Sequence, residues 1–220
     1  REIKQDPLLI WTSRVSLYIE EHLWSIIGGV AVFVLIVFGT WIYRGWDEGQ
    51  VAKGMTAVAE LESIATTGND ERLLMQSDAV IAAYGGQPSK IAQLYKADVL
   101  RRQGEFAAAG SLYESLDGAF DSDNEAFGFR VVKGLADALG AMGNNADAAR
   151  KLMTWADRNS ESGLTPHALV EAAVNLERAG DWTAARDALQ RVVVEYDKSQ
   201  IVGEARRRLR MLEGAVAASR

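Results

Sequence analysis

The sequence predicts an all-α protein with an N-terminal amphipathic helix, one transmembrane helix and then a series of repeated helical hairpins. Three observations lead to this prediction. Residues 23–43 carry no charged side chain. Three segments of the remaining chain align without gaps and share a pattern with helical spacing. The alternation of apolar and polar residues that is typical of half-buried strands does not appear.

The composition of the 220 residues argues against several classes of function. The formal net charge is -6, whereas general nucleic-acid binding needs a positive surface that displaces counterions from phosphates. The chain has no cysteine, so it can form neither disulfides nor cysteine metal sites. Glycine-rich phosphate loops and nucleophile motifs are also missing from the sequence, so we expect no enzyme activity and no cofactor.

Residues 23–43 are predicted to form an uncleaved transmembrane helix. A helix needs about 20 apolar residues to cross the hydrocarbon core of a bilayer. Aromatic rings, which favour the headgroup region, lie at both ends of the segment: Trp24 on one side, Trp41 and Tyr43 on the other. The run exceeds the apolar core of a signal peptide, and no small-residue cleavage site follows it. A buried core helix is the alternative.

Two further features of this segment concern its contacts and its orientation. Ser25 and Gly29 lie four residues apart, a spacing of small residues that permits close contact between membrane helices. Three basic residues precede the segment and two, Arg44 and Lys53, follow it closely. This excess of positive charge favours a cytoplasmic N-terminus, which would place the C-terminal body on the exported side.

Residues 1–22 are predicted to form a tail with an amphipathic helix. Asp6 and Pro7 supply an N-cap acceptor followed by proline in the first turn. Apolar side chains then recur on one face of the helix: Leu8, Trp11, Val15 and Tyr18. Two interpretations stay open, a helix that lies in the membrane interface or a helix that docks onto a partner subunit through a second apolar edge.

The C-terminal body, residues 47–220, contains an internal repeat. Three segments share the pattern A-x-x-L-x-x-x-G-x-[F/N/W]-x-x-A, and their glycines fall 39 and 37 residues apart. Asn145 takes the place of the aromatic residue in the second copy. The residues that define the copies are Ala97, Leu100, Gly104, Phe106 and Ala109, then Ala136, Leu139, Gly143 and Ala148, then Ala173, Leu176, Gly180, Trp182 and Ala185.

Each copy of the pattern predicts two antiparallel helices joined by a tight turn. Alanine and leucine three residues apart lie on one helix face, and glycine ends that helix in a left-handed conformation. We expect the ring of Phe106 or Trp182 to fill the corner, and the following alanine to allow close packing of the two helices. Nine residues after each glycine comes a large core residue of the second helix: Tyr113, Leu152 and Leu189.

The best copies are predicted at about residues 90–120, 127–158 and 166–197, and a helix at 201–218 would cap the series. Upstream, the segments 51–65 and 71–84 have the pattern of a degenerate first helix pair, since terminal units of repeat proteins are often atypical.

This pattern resembles the tetratricopeptide repeat family over about residues 90–195, although its spacing exceeds the usual length of about 34 residues. The resemblance implies a solenoid of helical hairpins that binds proteins. The whole layout is similar to a bacterial family of single-span inner-membrane proteins that includes the ancillary subunit of the Sec translocon. That similarity implies a location in the bacterial inner (cytoplasmic) membrane, a periplasmic repeat domain, and association with chaperones or exported chains.

Few residues of the chain suggest a small ligand. His22 and His167 have no partner at metal-ligand spacing, and we expect Thr165 to be the N-cap of the helix that contains His167. The acidic run at 121–125 resembles the start of a calcium loop. Helix N-capping explains this run better, because Ala126 and Val132 stand where such a loop needs glycine and glutamate.

The last predicted helix carries a basic cluster in an otherwise acidic body. It is either a solvated face, partly paired with Glu204 and Glu213, or a contact with an acidic partner or with anionic lipid headgroups. The cluster consists of Arg206, Arg207, Arg208 and Arg210.

The leading hypothesis is a non-enzymatic scaffold, anchored in the lipid bilayer, that binds subunits of a membrane protein complex through its repeat surface. In one version it assists export beside a translocon or chaperones. In the other it is a permanent accessory subunit of a large respiratory or photosynthetic complex. An enzyme with an undetected site and a self-assembling structural protein are the other classes. Candidate contact residues on the first helices are Lys96, Arg101, Arg102, Lys133 and Asn175.

Overall fold

The computed structural model describes residues 32–33, 37–38, 49–120 and 124–218, with the backbone alone at 215–218. These residues belong to two compact units, Arg1–Ala52 and Lys53–Arg220. Within the first unit, the described residues are helical.

The predicted span at 23–43 lies outside the described residues, apart from the exposed helical positions 32–33 and 37–38. In the part of the chain that the structure describes, no helix combines the length and the apolar character that crossing a membrane requires.

The second unit is built from α-helices, and the described residues contain no strand, which confirms the all-α prediction. Helix α1 covers residues 49–67. It is followed by α2 (Asp70–Ala83), α3 (Gly86–Arg102), α4 (Phe106–Ser115), α5 (Glu125–Ala141), α6 (Asn145–Arg158), α7 (Thr165–Ala179), α8 (Trp182–Glu195) and α9 (Val202–Ala218). The three copies of the pattern form the hairpins α3–α4, α5–α6 and α7–α8.

The hairpins stack as a solenoid with distinct inner and outer sides. From α2 onward, each helix packs mainly against its neighbours in the chain, but the first helices of successive hairpins also touch, α3 on α5 and α5 on α7. The second helices α4, α6 and α8 do not pack on one another to a comparable extent. The first helices therefore form the inner side of the stack, which is the side that repeat solenoids offer to their ligands.

Glycine closes the turn of each hairpin. Gly104, Gly143 and Gly180 have φ angles of 83°, 83° and 82°, in the left-handed region that favours glycine. The glycine amide donates to the carbonyl three residues earlier, which completes a Schellman motif with the bond from the next amide. That next amide donates to the leucine carbonyl of the pattern: Glu105 to Leu100 at 2.9 Å, Asn144 to Leu139 at 2.8 Å and Asp181 to Leu176 at 2.9 Å.

The centre of each hairpin is filled by one large side chain and several alanines. Tyr113, Leu152 and Leu189 have no exposed surface. Full burial of a leucine contributes about 1.5–3 kcal/mol. The alanines of the pattern are at most 1% exposed and let the helices approach closely: Ala97, Ala109, Ala136, Ala148, Ala173 and Ala185.

The apolar core runs through the whole second unit. One cluster of buried residues spans α1 to α5, and a second spans α5 to α9. Leu139 of α5 packs against both clusters. The leucine of the second copy therefore joins the two halves of the core as well as accepting the hydrogen bond of its turn.

Two glycines allow close contacts between helices that a side chain would prevent. A Cβ atom at Gly134 of α5 would lie 2.3 Å from Cζ of Tyr113, so the tyrosine ring occupies the space of the missing side chain. A Cβ atom at Gly54 of α1 would lie 2.6 Å from Cγ of Pro88 at the start of α3. Alanine at either position would displace a ring.

Two expectations about local structure are wrong. The ring of Trp182 does not fill the hairpin corner, because 48% of the residue is exposed. Trp182 is the first residue of α8, where the Cα–Cβ bond tilts towards the helix N-terminus and so away from the hairpin. Thr165 is not an N-cap but the first residue of α7, and its hydroxyl donates to the carbonyl of Asn159.

Candidate functional site

The inner side of the solenoid carries a set of ion pairs between successive first helices. We call these six residues the inner ladder. Its members pair as Arg101 with Asp137 at 3.4 Å, Lys133 with Glu171 at 3.0 Å, and Arg208 with Glu177 at 3.9 Å. The ladder thus joins α3 to α5, α5 to α7 and α7 to α9, always with opposite charges in contact.

Asp98 of α3 is a buried carboxylate that holds α4 and α5 together. It is 6% exposed, and it accepts hydrogen bonds from the Tyr113 hydroxyl and from Nε of Arg130, the latter at 2.7 Å. The guanidinium group of Arg130 also lies over the ring of Tyr95, 4.5 Å from its centroid. A buried carboxylate needs such partners, because an unpaired charge in the interior is costly.

The protonation states on this side follow from its contacts. Burial, together with the negative charge of Asp98, raises the pKa of Tyr113, so the hydroxyl keeps its proton and acts as a donor. Burial on its own would lower the pKa of Lys133, but the hydrogen bond to Glu171 and the charge of Asp137 outweigh it and raise the pKa. Lys133 therefore remains a cation over the physiological range.

Three buried polar atoms on the inner side have no hydrogen-bond partner among the described residues: Nε of Arg101, Oδ1 of Asn175 and Oε1 of Glu177. Asn175 is 5% exposed, and its Nδ2 already donates to the carbonyl of Glu171 at 2.9 Å. Its Oδ1 faces Gly140, where an added Cβ would approach to 3.1 Å. All three atoms are closed off from solvent, and Oε1 of Glu177 is also the atom that faces Arg208 in the inner ladder.

The candidate contact residues of the first helices fall into three groups. Arg101 and Lys133 belong to the inner ladder. Lys96 and Arg102 instead turn towards α2, where they pair with Asp78 at 2.6 Å and with Asp70. Asn175, expected to be exposed, is buried. The expected exposure is therefore wrong for Asn175, whereas the four cations are at least partly exposed, each with a carboxylate within reach on a neighbouring helix.

The carboxylates of the inner side were not identified from the sequence, although two of them, the buried Asp98 and the ladder residue Asp137, leave a signal there. Asp98 and Asp137 both follow the first alanine of the repeat pattern, Ala97 and Ala136, and so occupy the same register. In the structure Asp98 meets a cation of the following hairpin, and Asp137 meets one of the preceding hairpin. A charged residue that recurs beside a buried alanine marks the face shared by successive first helices.

The basic cluster of α9 does not form one surface. Arg208 is part of the inner ladder, where it meets Glu177 and, at 3.1 Å, Glu204 of its own helix. The other three arginines, Arg206, Arg207 and Arg210, are exposed. The expected pairing with Glu204 therefore holds for Arg208.

The described part of the chain, which includes His167, contains no group of His, Cys, Asp and Glu side chains that could hold a metal ion. His167 lines an open cleft of about 640 Å³ between the loops that precede α7 and α9. Residues 121–123 lie outside the described residues, and Asn124 holds the N-cap position of α5.

The predicted membrane and partner contacts of the N-terminal region also lie outside the described residues. They are Leu8, Trp11, Val15, Tyr18, Trp24, Ser25, Gly29, Trp41 and Tyr43.

Comparison with known families agrees with the architecture of the hairpins. The model of the tetratricopeptide repeat matches residues 78–124 and 133–199, together more than half of the chain. The chain belongs to the tetratricopeptide repeat family. No curated protein matches the sequence. Proteins of this family generally bind other proteins through a helical-repeat surface.

Proposed function

We propose that this protein is a non-enzymatic scaffold that binds a partner protein on the inner side of its solenoid. One observation carries the proposal: three family hairpins align their first helices on one side, the side through which repeat solenoids bind their ligands. The partly exposed side chains of the inner ladder supply both donors and acceptors there. An extended protein segment has this chemistry.

The balance of charge on the inner ladder limits the net charge that a ligand of this side can carry. Each ladder cation already faces a carboxylate, so this side presents no field of a single sign. A strongly acidic or strongly basic ligand would have to displace existing pairs. We therefore propose a polar, near-neutral segment as the ligand of the inner side.

We further propose that the scaffold is anchored in the bacterial inner membrane, with its repeat domain in the periplasm. The uncharged run at 23–43, its aromatic ends and the basic residues before it support this proposal. Anchoring would raise the effective concentration of the repeat surface near other membrane proteins. Extraction of native membranes with alkaline carbonate tests the anchor: an integral protein stays in the pellet, and release into the supernatant would contradict it.

Two versions of the scaffold differ in the partner. Similarity to single-span repeat proteins supports a role beside a translocon, with chaperones or exported chains as ligands. The predicted helix at 8–21, which is apolar on two sides, supports the alternative, a permanently integrated accessory subunit of a respiratory or photosynthetic complex. In the first version the partner is bound in substoichiometric amounts, and in the second it is recovered in a fixed ratio.

The test of the inner side is affinity purification of the full chain from native membranes in mild detergent, followed by mass spectrometry. The double variant Lys133→Ala/Asp137→Ala removes one cation and one anion from the inner ladder. Its matched control is Asp147→Ala/Arg150→Ala, which removes an exposed ion pair of 2.7 Å from α6 without changing the net charge. We expect partners to be lost with the first variant and kept with the second. Equal recovery with both variants would overturn the proposal.

A further inference from the structure

The terminal helix α9 carries a second surface, separate from the inner ladder. It consists of Arg206, Arg207 and Arg210 together with the exposed apolar residues Met211 and Trp182, and we call it the cap surface. Met211 is 70% exposed and Trp182 is 48% exposed. Large apolar side chains with this exposure are uncommon among the described residues of the second unit, and here two of them border one cleft.

The three arginines of the cap surface differ from the arginines of the inner side. Within the described residues they form no ion pair, whereas Arg101, Arg130 and Arg208 each have a carboxylate partner. In an acidic protein these three guanidinium groups are therefore a local excess of positive charge without internal compensation. An arginine presents a planar set of donors that matches a carboxylate in a bidentate geometry.

The apolar part of the cap surface is a cleft of about 220 Å³. Trp182, Met211 and Leu212 supply its apolar walls, and Glu177 and Arg208 close its inner end. The cleft exists because Trp182 projects from the start of α8, so its ring stands beside α9 rather than inside the hairpin. Its volume suits a single apolar side chain.

Helical geometry places the charges next to this cleft. Arg207 and Met211 are four residues apart and Arg207 and Arg210 are three apart, so all three are neighbours on the same side of α9. Arg206 and Arg210 form the next row around the helix. A ligand segment that inserts an apolar side chain beside Met211 therefore meets Arg207 and Arg210 with its flanking residues. It reaches Arg206, about 140° around the helix axis from Met211, where it continues across α9.

We propose that the cap surface binds an acidic segment of a partner protein, which inserts one apolar side chain between Trp182 and Met211 and places carboxylates on Arg206, Arg207 and Arg210. A protein segment is favoured over an anionic bilayer because the apolar part is concave. A cleft receives a projecting side chain, whereas binding in the membrane interface relies on apolar side chains that project into the lipid. An aromatic wall with neighbouring arginines is also the composition of energetic centres in protein interfaces.

The cap surface is proposed independently of the ligand that we propose for the inner side of the solenoid. The inner ladder has balanced charges and fits a near-neutral segment. The unpaired arginines of the cap surface are all positive and fit an acidic segment. The two surfaces can therefore bind different partners, or two regions of the same partner.

The experiment is a selection of displayed random short peptides against the full chain in detergent. We expect enriched peptides to combine several Asp or Glu residues with one large apolar residue. The variant R206Q/R207Q/R210Q should weaken binding of such a peptide by about tenfold, and Trp182→Ala by a similar factor, with stronger binding at low salt. Replacing the acidic residues of the peptide by their amides should have the same effect.

The matched control is R72Q/R150Q/R186Q, which removes three exposed arginines from α2, α6 and α8 and changes the net charge equally. Equal weakening by both triple variants would overturn the inference, as would enriched peptides without carboxylates.

A second experiment measures binding to vesicles of phosphatidylcholine with and without phosphatidylglycerol. Binding that requires phosphatidylglycerol and is lost in R206Q/R207Q/R210Q, without any peptide binding, would assign the surface to lipid instead. The ladder variant Lys133→Ala/Asp137→Ala should bind the acidic peptide as well as the original protein does. This result, together with loss of peptide binding in R206Q/R207Q/R210Q, would separate the cap surface from the inner side.

Discussion

At the scale of single residues, the structure depends most on places where one helix leaves room for a side chain of another. Gly134 and Tyr113 form such a pair, since the ring lies where a Cβ atom would stand. The same tyrosine donates to Asp98, which in turn binds Arg130. One glycine therefore allows both the packing of α4 on α5 and the neutralisation of a buried carboxylate.

Replacing Gly134 by alanine should destabilise the protein by about 1–3 kcal/mol, because the new methyl group displaces the Tyr113 ring. Gly128→Ala in the same helix is the control, since its Cβ would lie 3.5 Å from Nε1 of Trp155, an ordinary contact. That control should be neutral or stabilising by up to about 1 kcal/mol. Urea unfolding followed by circular dichroism measures both, and equal midpoints would contradict the packing argument.

The raised pKa of Tyr113 predicts a loss of stability at alkaline pH. In the unfolded chain tyrosine ionises at about pH 10, whereas the folded protein holds Tyr113 neutral. Its contribution is therefore complete below about pH 10 and falls as the pH rises above that value.

The variant Tyr113→Phe should cost about 1–3 kcal/mol at neutral pH, because Asp98 loses a donor, and should unfold with a flatter dependence on pH between about 9 and 11. Tyr84→Phe, which removes a hydroxyl outside this network, should retain the slope of the original protein. Thermal unfolding across this range of pH gives the comparison. A slope unchanged by Tyr113→Phe would refute the assignment.

At the scale of elements, the hairpin turn is the unit that the sequence pattern encodes. The amide that follows the left-handed glycine donates to the carbonyl of the leucine four residues before that glycine, and the leucine side chain packs in the core. This explains why the second copy forms the same turn with Asn145 in place of an aromatic residue. The turn is made by the backbone, and the aromatic ring is not part of it.

Alanine at Gly143 should destabilise the second hairpin by about 1–2 kcal/mol, because a side chain at a φ of 83° is strained. Gly110→Ala inside α4 is the matched substitution at an ordinary helical position, where the added Cβ meets its nearest atoms at 3.9 Å. It should leave stability unchanged or raise it. Calorimetric unfolding measures both variants, and a Gly143→Ala protein as stable as Gly110→Ala would exclude the strain.

At the scale of the whole molecule, the contacts that give stability are distributed along the solenoid. Each hairpin contacts its neighbours, and a core that continues through Leu139 connects the first half to the second. The ion pairs of the inner ladder follow the same order from α3 to α9, and each of them joins two helices that are next to each other on the inner side. Because the pairs are partly exposed, each is expected to contribute less than about 1 kcal/mol.

Leu189→Ala should lower stability by about 2–5 kcal/mol, and the effect should stay near its own end of the solenoid. Hydrogen exchange should accelerate in α7, α8 and α9 while the amides of α2 and α3 keep their protection. Leu73→Ala, at a residue of α2 that is 1% exposed, should produce the opposite distribution. Uniform acceleration in both variants would instead show a single cooperative unit.

The helical hairpins, the three turn glycines and the large core residues can be predicted from the sequence alone; those core residues are Tyr113, Leu152 and Leu189. These follow from spacing along one helix and from the conformations that glycine allows, both of which are local properties. The fold class and the family therefore need no knowledge of how the hairpins stack.

The pairing of charges, the burial of Asn175 and the exposure of Trp182 follow instead from the packing of one hairpin on the next. Each of these depends on the rotation of one hairpin against the next, which brings Lys133 to Glu171 and α9 beside the start of α8. Spacing within a helix specifies which face a residue occupies, but the residue's partner belongs to another hairpin. The inner ladder and the cap surface arise at that level.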